Sequence, residues 1–410
     1  MVDEPIIVGI DIGTTKICTL VARVDGERNF RILGVGIEPA QGIKKGSIVD
    51  INAAARSISK SVEKAQRTSG FEITSALVSL AGSHVSSINS RGVVGISGRI
   101  IDQHDIDRTL EAAQAVAIPH NREVIHVIQR GFTVDGQDGI RMPVGMHGYR
   151  LEVEAHIITA AAATVENLRE CVQSSGIAVS QFVLNPLASA EVVLTETERQ
   201  MGAVVCDIGG GTTDMAIYIE GDVWHTMVLA VGGNHITSDI AHGLRLPTDE
   251  AEEVKKKYAY AIESRISEDD EFPVRTFGQD AASHISRKDL AHITEARVEE
   301  IFQLVLQEIK RSGYDGLLPA GMILTGGSSQ LPGMKELASQ VLGLPVRVAR
   351  PQNLVGMVDQ LHSPAYSTSV GLLNWAMLMN DAIQPLQSHR YKSKKLDVEG
   401  IKNFLYRLLP

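Results

Sequence analysis

The sequence predicts an α/β protein made of two related halves, with an α+β subdomain inserted into the first half. Asp-Ile-Gly occurs at Asp11 and again at Asp207, nearly half of the 410-residue chain apart, and each copy follows an apolar, β-rich run. Between the two copies, residues 84–160 are richer in charge than the segments around them and interrupt the first half. A chain of this length is also expected to form several compact units rather than one core.

Composition and charge exclude several classes of protein. The chain is 44% hydrophobic and 21% charged, which is typical of a soluble globular protein. Its net charge of −10 argues against nucleic acid as a partner, because nucleic-acid binders need a basic surface. The cysteines lie in or beside apolar stretches without paired spacing, which predicts reduced thiols in a cytoplasmic protein.

Three β-rich runs, separated by tight turns, open the first half and predict an antiparallel meander. They start at Ile6, Ile17 and Phe30. Asp50 then precedes a helical pattern that Gly70 ends, and residues 75–81 return as a strand. We expect these elements to form one core subdomain together with a segment after the insertion. Its two pieces are residues 1–83 and 161–195.

The inserted subdomain is expected at residues 84–160. Its helical pattern runs from Asp105 to Ala117, and strand-like runs cover residues 124–128 and 151–158. This mixture of one helix and separate strands predicts an α+β unit.

The second half repeats the outline of the first. A second meander starts at Val204, and residues 320–379 later alternate strand and helix. The segment between them is mainly helical and highly charged. We expect a second core subdomain at residues 196–234 and 311–380, with the charged helical subdomain at residues 235–310.

The second Asp-Ile-Gly motif opens a glycine-rich hairpin suited to phosphate. Three consecutive glycines let backbone N–H groups approach an anion, because no side chains stand in the way. Two threonine hydroxyls add further donors. The predicted phosphate residues of this hairpin are Gly209, Gly210, Gly211, Thr212 and Thr213.

The first Asp-Ile-Gly motif opens a similar hairpin with Gly13, Thr14 and Thr15. Either hairpin alone is compatible with a simple tight turn, but the two together favour a nucleotide site. A carboxylate stands at the mouth of each, Asp11 in the first and Asp207 in the second. Because Mg²⁺ prefers one or two carboxylates together with phosphate oxygens, this pair is predicted to hold Mg²⁺ through water.

Two further motifs extend the predicted nucleotide site. Gly326, Gly327 and Ser328 follow a buried apolar strand and precede a helix, so the backbone can lie close to a base or sugar there. Alone, this motif is also compatible with a plain strand-to-helix turn. Glu252 and Lys255 share one helical face, which is compatible with an ordinary surface salt bridge or with a pair that contacts ribose.

Taken in order, these motifs resemble those of the actin, Hsp70 and sugar-kinase ATPase superfamily. The resemblance implies an actin-like ATPase fold with ATP and Mg²⁺ bound between the halves. Within the superfamily, the chain resembles the FtsA family of bacterial cell-division proteins over nearly its whole length. Three stretches carry this finer match: residues 77–85, LVSLAGSHV; residues 126–148, HVIQRGFTVDGQDGIRMPVGMHG; and residues 151–159, LEVEAHIIT.

The resemblance also bears on catalysis. Superfamily ATPases present a Glu or Gln that positions the attacking water, whereas this chain has Asn185 before Pro186 at the matching place. The shorter amide is expected to orient water poorly, and residues of this kind can change a rate by orders of magnitude. Asp207 and Asn185 are therefore the catalytic candidates, and at most slow ATP hydrolysis is expected.

The FtsA resemblance further implies a protein that polymerises on the inner face of the cytoplasmic membrane and tethers FtsZ filaments there, at the division site. It implies that the FtsZ C-terminal peptide docks on residues 235–310, where Arg287 and Arg297 are candidate contacts for acidic groups. It also implies that later division proteins bind the inserted subdomain.

The C-terminal segment predicts an amphipathic membrane-targeting helix at residues 397–410, behind a polar linker at residues 381–396. At about 100° per residue, the large apolar side chains of this helix fall on one face. The predicted membrane residues are Ile401, Phe404, Leu405, Leu408 and Leu409. Basic residues outnumber acidic ones from Arg390 onward, which favours an anionic membrane surface as the partner.

Two other functions share this fold and stay open on the sequence alone. A sugar or acetate kinase would need a catalytic base and a polar substrate pocket, and the sequence identifies neither. A pilus-assembly relative of the FtsA family would share both the fold and the inserted subdomain.

Overall fold

The first half begins with the predicted antiparallel meander and continues into a helix and a parallel strand. The computed structural model describes residues 5–24, 29–97, 100–276 and 283–378. The first elements are β1 (Ile6–Ile12), β2 (Lys16–Val24), β3 (Phe30–Pro39), β4 (Ile43–Lys44), β5 (Ser47–Ile48), α1 (Ile51–Ser69) and β6 (Ser75–Leu80). Asp50 caps α1 by accepting a hydrogen bond from the Ala53 N–H, and Gly70 ends the helix with a φ of 76°.

The inserted segment forms a four-stranded antiparallel sheet with one helix. Its elements are β7 (Ser86–Gly95), α2 (Gln103–Gln114), β8 (Arg122–Val134), β9 (Gln137–Ile140) and β10 (Arg150–Ala161). The strand order is β7-β10-β8-β9, and α2 packs on β7 and β10. The helix begins before the expected Asp105, because Asp102 and Asp105 form a capping box at its N-terminus.

Three elements after the insertion complete the first half. They are α3 (Ala162–Gln173), β11 (Ala178–Leu184) and α4 (Asn185–Val193). β11 joins the sheet parallel to β6, which gives the strand order β11-β6-β1-β2-β3. The buried residues of α1 and α3 belong to the same hydrophobic core as this sheet.

The second half contains a sheet of the same size and a charged helical segment. Its elements are α5 (Glu196–Met201), β12 (Ala203–Ile208), β13 (Thr213–Ile219), β14 (Asp222–Leu229), α6 (Gly233–Leu244), α7 (Thr248–Tyr258), β15 (Glu271–Val274), β16 (Ser283–Ser286), α8 (Arg287–Ser312), β17 (Gly321–Thr325), α9 (Met334–Leu342), β18 (Val346–Val348) and α10 (Ser367–Leu378). The strand order of the sheet is β14-β13-β12-β17-β18.

Both central sheets have the same topology. Each consists of three antiparallel strands in a meander, followed by two strands parallel to the first. β1 corresponds to β12, β6 to β17 and β11 to β18. The structure therefore confirms the predicted α/β fold with two related halves and an inserted α+β subdomain.

The last helix of each half packs across to the other half. α4 contacts β12 and β13, while α10 contacts β1, β2 and β6, and the two helices pack against each other. Their backbones approach closely at Gly371, where a Cβ atom would lie 1.8 Å from the Ala188 carbonyl oxygen. A helix from each half thus joins the two halves.

The predicted C-terminal linker and membrane helix lie outside the described residues. This applies to residues 381–396 and 397–410, and therefore to Ile401, Phe404, Leu405, Leu408 and Leu409. Among the helices that the structure describes, none combines the length and the apolar character needed to cross a membrane. The membrane prediction therefore rests on the sequence alone.

Candidate functional site

A cleft of about 490 Å³ opens between the two halves, and nearly all of the predicted nucleotide residues line it. These lining residues are Asp11, Gly13, Thr14, Thr15, Asn185, Asp207, Gly209, Gly210, Gly211, Thr212, Glu252, Lys255, Gly326, Gly327 and Ser328. The structure thus brings both hairpins, the Gly-Gly loop and the Glu-Lys pair to one place.

The two hairpins face each other closely because glycines occupy the second one. A Cβ atom at Gly210 would lie 2.2 Å from Thr15 Oγ1, and one at Gly211 would lie 2.5 Å from Thr14 Oγ1. The space between the hairpins is therefore left to backbone groups and hydroxyls. These are the donors that phosphate requires.

Thr213 is the predicted phosphate residue that does not line the cleft. It is fully buried at the start of β13, and its hydroxyl donates a hydrogen bond to the Val231 carbonyl at 2.8 Å. Successive side chains on an extended chain point to opposite sides, so Thr212 faces the cleft and Thr213 faces away from it. The phosphate contact expected for Thr213 is therefore corrected to a structural role.

Asp11, at the end of β1, is buried among donors from three elements. Its carboxylate accepts hydrogen bonds from Ser79 Oγ at 3.2 Å and from Ser369 Oγ at 2.6 Å. The Lys16 ammonium lies 3.5 Å away and sits over the Tyr366 ring. Burial opposes the charge of Lys16 most strongly, but the Asp11 carboxylate together with smaller contributions from Cys18, Tyr366 and Asp207 raises the pKa of Lys16.

Asp207, at the matching position on β12, is less well compensated. Its Oδ2 atom accepts a hydrogen bond from Thr368 Oγ1 at 2.9 Å. The pKa of the Asp207 carboxyl is raised to about 6, chiefly by burial and also by the nearby Asp11 carboxylate, although the Thr368 hydrogen bond and Lys16 lower it. A cation or a donor entering the cleft would therefore stabilise the charged form of Asp207.

Asp214 and Asn185 line the same cleft and are also buried. Asp214 accepts a hydrogen bond from Thr212 Oγ1 at 2.9 Å, and its burial raises the pKa of its carboxyl well above the usual value. Within the described ranges, Asp214 Oδ1 and Asn185 Oδ1 are buried oxygen atoms without a hydrogen-bond partner. Buried oxygens usually have partners, so these two fit a site that holds water around a cation.

The predicted adenosine loop leaves β17 against the second hairpin. Gly326 has a φ of 85°, and a Cβ atom there would lie 2.3 Å from Asp207 Oδ1. Ser328 Oγ donates a hydrogen bond to the Gly209 carbonyl at 3.0 Å. The loop therefore needs glycine at this turn and is tied to the hairpin that is expected to hold phosphate.

The Glu252 and Lys255 side chains form a salt bridge of 2.7 Å on α7, and both line the cleft. The Lys255 ammonium also donates to the Gly233 carbonyl at 3.1 Å and to Thr237 Oγ1 at 2.8 Å. The pair thus forms the local salt bridge that one interpretation expected. It also lies in the cleft, where the other interpretation placed a contact with ribose.

The two arginines predicted to contact a peptide lie on α8, and each already has acidic partners. Arg287 donates to the Tyr258 carbonyl at 2.8 Å and to Asp270 at 2.9 Å. Arg297 binds Asp239 through two guanidinium nitrogens and pairs with Glu300. An acidic peptide would have to compete with these contacts.

Sequence reasoning missed several polar residues in or beside the cleft, among them Lys16, Asp214, Thr368 and Ser369. Lys16 directly follows the first hairpin and Asp214 closes the second, so each adjoins a motif that marks the site in the sequence. Thr368 and Ser369 had no local signal, because the carboxylates that they contact lie 161 and 358 residues away along the chain.

Two family models match the chain. The one described as Cell division protein FtsA matches residues 204–371, and the one described as the SHS2 domain inserted in FtsA matches residues 82–159. The second range covers the four-stranded inserted sheet except for the last two residues of β10.

Relatives named Cell division protein FtsA are similar over about nine-tenths of the chain. The relative from Pseudomonas aeruginosa is 43% identical over 371 residues, which are 90% of this chain and 89% of the relative. The relative from Bacillus subtilis is 39% identical over 92% of this chain and 84% of its own length. The relative from Escherichia coli K12 is 35% identical over 91% of this chain and 90% of its own length.

Solved structures share the fold at lower identity. A chain of the PilM-PilN type IV pilus biogenesis complex has a TM-score of 0.64 at 16% identity, covering 92% of this chain and 99% of that chain. MreB5 of Spiroplasma citri bound to ADP has a TM-score of 0.56 at 15% identity, covering 92% of this chain and 98% of that chain. These likenesses show the actin-like ATPase fold, which suggests nucleotide binding.

The comparisons support the cell-division interpretation and not the alternatives. The likeness to the pilus protein is one of fold, at 16% identity, whereas the relatives with the cell-division name share 35% to 43% of their residues with this chain. The chain belongs to the FtsA family of cell division proteins.

Proposed function

We propose that the protein binds ATP with Mg²⁺ in the cleft, forms filaments on the inner face of the cytoplasmic membrane, and tethers FtsZ filaments to that membrane at the division site. One observation carries the nucleotide part: each half contributes a hairpin and a buried carboxylate to the same cleft. Family membership supports the role in cell division.

The cleft offers a distinct place for each part of the nucleotide. The hairpin glycines around Gly210 and the Thr14 hydroxyl would hold the phosphates, and the loop at Gly326 would lie beside adenosine. The Thr212 hydroxyl would join the phosphate contacts on leaving Asp214. The Asp11 and Asp207 carboxylates would hold Mg²⁺ through water. When bound, Mg²⁺ supplies positive charge that neutralises the phosphates.

Hydrolysis is proposed to be slow, so that ATP acts mainly as an assembly ligand. Asn185 has a shorter side chain than the Glu or Gln of other superfamily members, and its Oδ1 atom has no partner among the described residues. Asn185 cannot accept a proton from a water held there. Asp214 and Asp207 are the carboxylates of the cleft that could accept it. Such positioning residues can be worth orders of magnitude in rate.

Membrane attachment is proposed to depend on assembly. A single amphipathic segment gains about 1.5 to 3 kcal/mol for each large apolar side chain that is fully buried. Ordering the segment costs about 1 to 2 kcal/mol per residue, which leaves little net affinity. Filament formation would align many tails and turn weak contacts into avid attachment.

Electron microscopy with ATP on an anionic lipid monolayer tests nucleotide, polymer and membrane together. We expect filaments on the lipid with ATP and Mg²⁺, and none for the chain truncated after Lys395. Liposome co-sedimentation should fall sharply for Phe404→Glu but not for Asn403→Glu, which adds the same charge outside the apolar arc. Full membrane binding by the truncated chain would contradict the proposed anchor.

The FtsZ contact is proposed on the charged helical segment around α8. Because Arg287 and Arg297 are paired within the protein, their replacement by Glu should weaken binding of the FtsZ C-terminal peptide by loss of charge and by rearrangement of α8. Fluorescence anisotropy with the double variant measures this. Arg311→Glu, near the end of the same helix and paired with Glu308, is the matched control. Unchanged affinity of the double variant would place the peptide elsewhere.

The inserted subdomain is proposed to receive later division proteins. Two of its large side chains, Met142 and Tyr149, are 79% and 72% exposed and are therefore open to a partner. Loss of partner binding on replacing both by Ser, with an unchanged melting temperature, would support this proposal. Unchanged binding would contradict it.

A further inference from the structure

Three consecutive hydroxyl residues begin α10 and contact the ends of three strands beside the cleft. Thr368 donates to Asp207 Oδ2 at 2.9 Å, and Ser369 donates to Asp11 Oδ2 at 2.6 Å. Ser367 exchanges a hydrogen bond of 2.6 Å with Thr325 Oγ1 at the end of β17. All three hydroxyl residues are buried. One helix start thus contacts both carboxylates and the strand that leads to the adenosine loop.

The two carboxylates come from different halves of the chain, yet adjacent residues of one helix hold them. Neighbouring helical residues point about 100° apart, so Thr368 and Ser369 reach in different directions, one toward each hairpin. α10 itself follows β18 of the second half but packs on β1, β2 and β6 of the first half. A rigid element that belongs to both halves therefore fixes the positions of both carboxylates.

Such fixing matters for the cation that the carboxylates are proposed to hold. Mg²⁺ demands nearly ideal octahedral geometry and keeps several of its waters, so carboxylates that bind those waters must stand at a set spacing. A carboxylate free to rotate would lose part of this match. On the basis of the proposed Mg²⁺-nucleotide function, we propose that Thr368 and Ser369 are positioning residues that set the spacing of Asp207 and Asp11 for the hydrated cation.

The test compares nucleotide affinity with excess Mg²⁺ and with a chelator, in the full chain. Thr368→Val keeps the side-chain shape and removes the hydroxyl, and Ser369→Ala removes the other. The ratio of ATP affinities with and without Mg²⁺ should fall about threefold for either variant and about tenfold for both, since a hydrogen bond to a charged group is lost each time. Affinity in chelator should stay as in the wild type. Thr368→Ser, which retains the hydroxyl, should restore the ratio.

Thr294→Val is the matched control. Thr294 is also a fully buried helical threonine of the second half, but its hydroxyl donates to the Leu290 carbonyl of its own helix at 2.8 Å. This control should leave the ratio of ATP affinities with and without Mg²⁺ unchanged. A wild-type ratio in the Thr368→Val and Ser369→Ala variants would overturn the inference. So would an equal loss of affinity with and without Mg²⁺, which would indicate a purely structural role. Failure of the wild-type chain to bind ATP would instead reject the proposed function.

Discussion

The two hairpins that face the cleft share a sequence pattern but differ in how their carboxylates are compensated. Asp11 lies among Ser79, Ser369 and the Lys16 ammonium. Asp207 accepts a hydrogen bond from Thr368, and burial raises the pKa of its carboxyl to about 6. The protein therefore surrounds Asp11 with a cation from the first half and with hydroxyl donors from both halves, whereas it leaves Asp207 as a buried carboxylate whose charge something in the cleft has to balance.

This difference suggests a division of labour between the halves. At the first hairpin, groups of the protein already stabilise the carboxylate without a ligand: a nearby cation and two hydroxyl donors. The second hairpin consists of glycines around a poorly compensated carboxylate, so a bound ligand adds the most favourable interactions there. Variants of the two halves should therefore behave differently in the absence of nucleotide.

The largest expected effect is on the stability of the nucleotide-free protein. Asp207→Asn removes a buried charge and should increase the free energy of unfolding by about 1 to 3 kcal/mol. Asp11→Asn leaves the Lys16 ammonium without its carboxylate and should decrease the free energy of unfolding by about 1 to 3 kcal/mol. Urea unfolding of both variants measures these values. If the free energy of unfolding changed in the same direction in both variants, the proposed difference between the two carboxylates would be contradicted.

The pH dependence of this stability difference sharpens the comparison. Asp207 has a pKa of about 6 in the folded protein and 3.8 as its ordinary value, so the folded state takes up its proton first as the pH falls. The stability that this protonation gives is present at low pH and is lost as the pH rises through about 6. Asp207→Asn should therefore be more stable than the wild type at pH 8 and gain little at pH 5.

Thermal melts of the two proteins between pH 5 and pH 8, without nucleotide, test this expectation. Titrating groups far from Asp207 act on both proteins alike and cancel in the difference, whereas the nearby Asp214 carboxyl, whose pKa Asp207 helps to raise, contributes to it. A difference in melting temperature that stays constant across this range would contradict the raised pKa of Asp207.

A smaller effect is expected from the lysines on the two sides of the cleft. The Lys255 ammonium has three acceptors within the protein, at Glu252, Gly233 and Thr237. Lys16 is paired with Asp11 alone among the ion pairs of the described residues. Lys16→Met should therefore weaken ATP binding about tenfold, and Lys255→Met about threefold or less. Isothermal titration calorimetry measures the ATP affinity of each variant. A larger loss of affinity in Lys255→Met than in Lys16→Met would contradict this prediction.

The sequence was most informative where a structural feature depends on neighbouring residues. The ends of α1 were predicted from Asp50 and Gly70, because a side-chain cap and a left-handed turn are local features. The glycine run at Gly210 marked the second hairpin for the same reason. The predicted start of α2 at Asp105 lies two residues too late, because Asp105 is the third residue of the helix and closes a capping box that opens at Asp102.

The sequence was least informative where the fold brings distant residues together. Nothing near Thr368 and Ser369 indicates two carboxylates, because α10 reaches them only by crossing from the second half to the first. β8 was predicted over residues 124–128 but spans Arg122–Val134, since strand length depends on pairing with β10 rather than on local apolar residues. Thr213 was misassigned because the side that a strand residue faces depends on register.

Equilibrium titration with Mg²⁺ and ATP tests most directly whether the cleft between the halves is the nucleotide site. Gly210→Val would place a side chain against Thr15 Oγ1, where even a Cβ atom would lie at 2.2 Å. Gly131→Val is the matched control, because a Cβ atom there meets nothing within 4 Å. We predict that the wild type and Gly131→Val bind ATP equally well, while Gly210→Val binds about tenfold more weakly or worse. Wild-type affinity in a folded Gly210→Val variant would contradict the account.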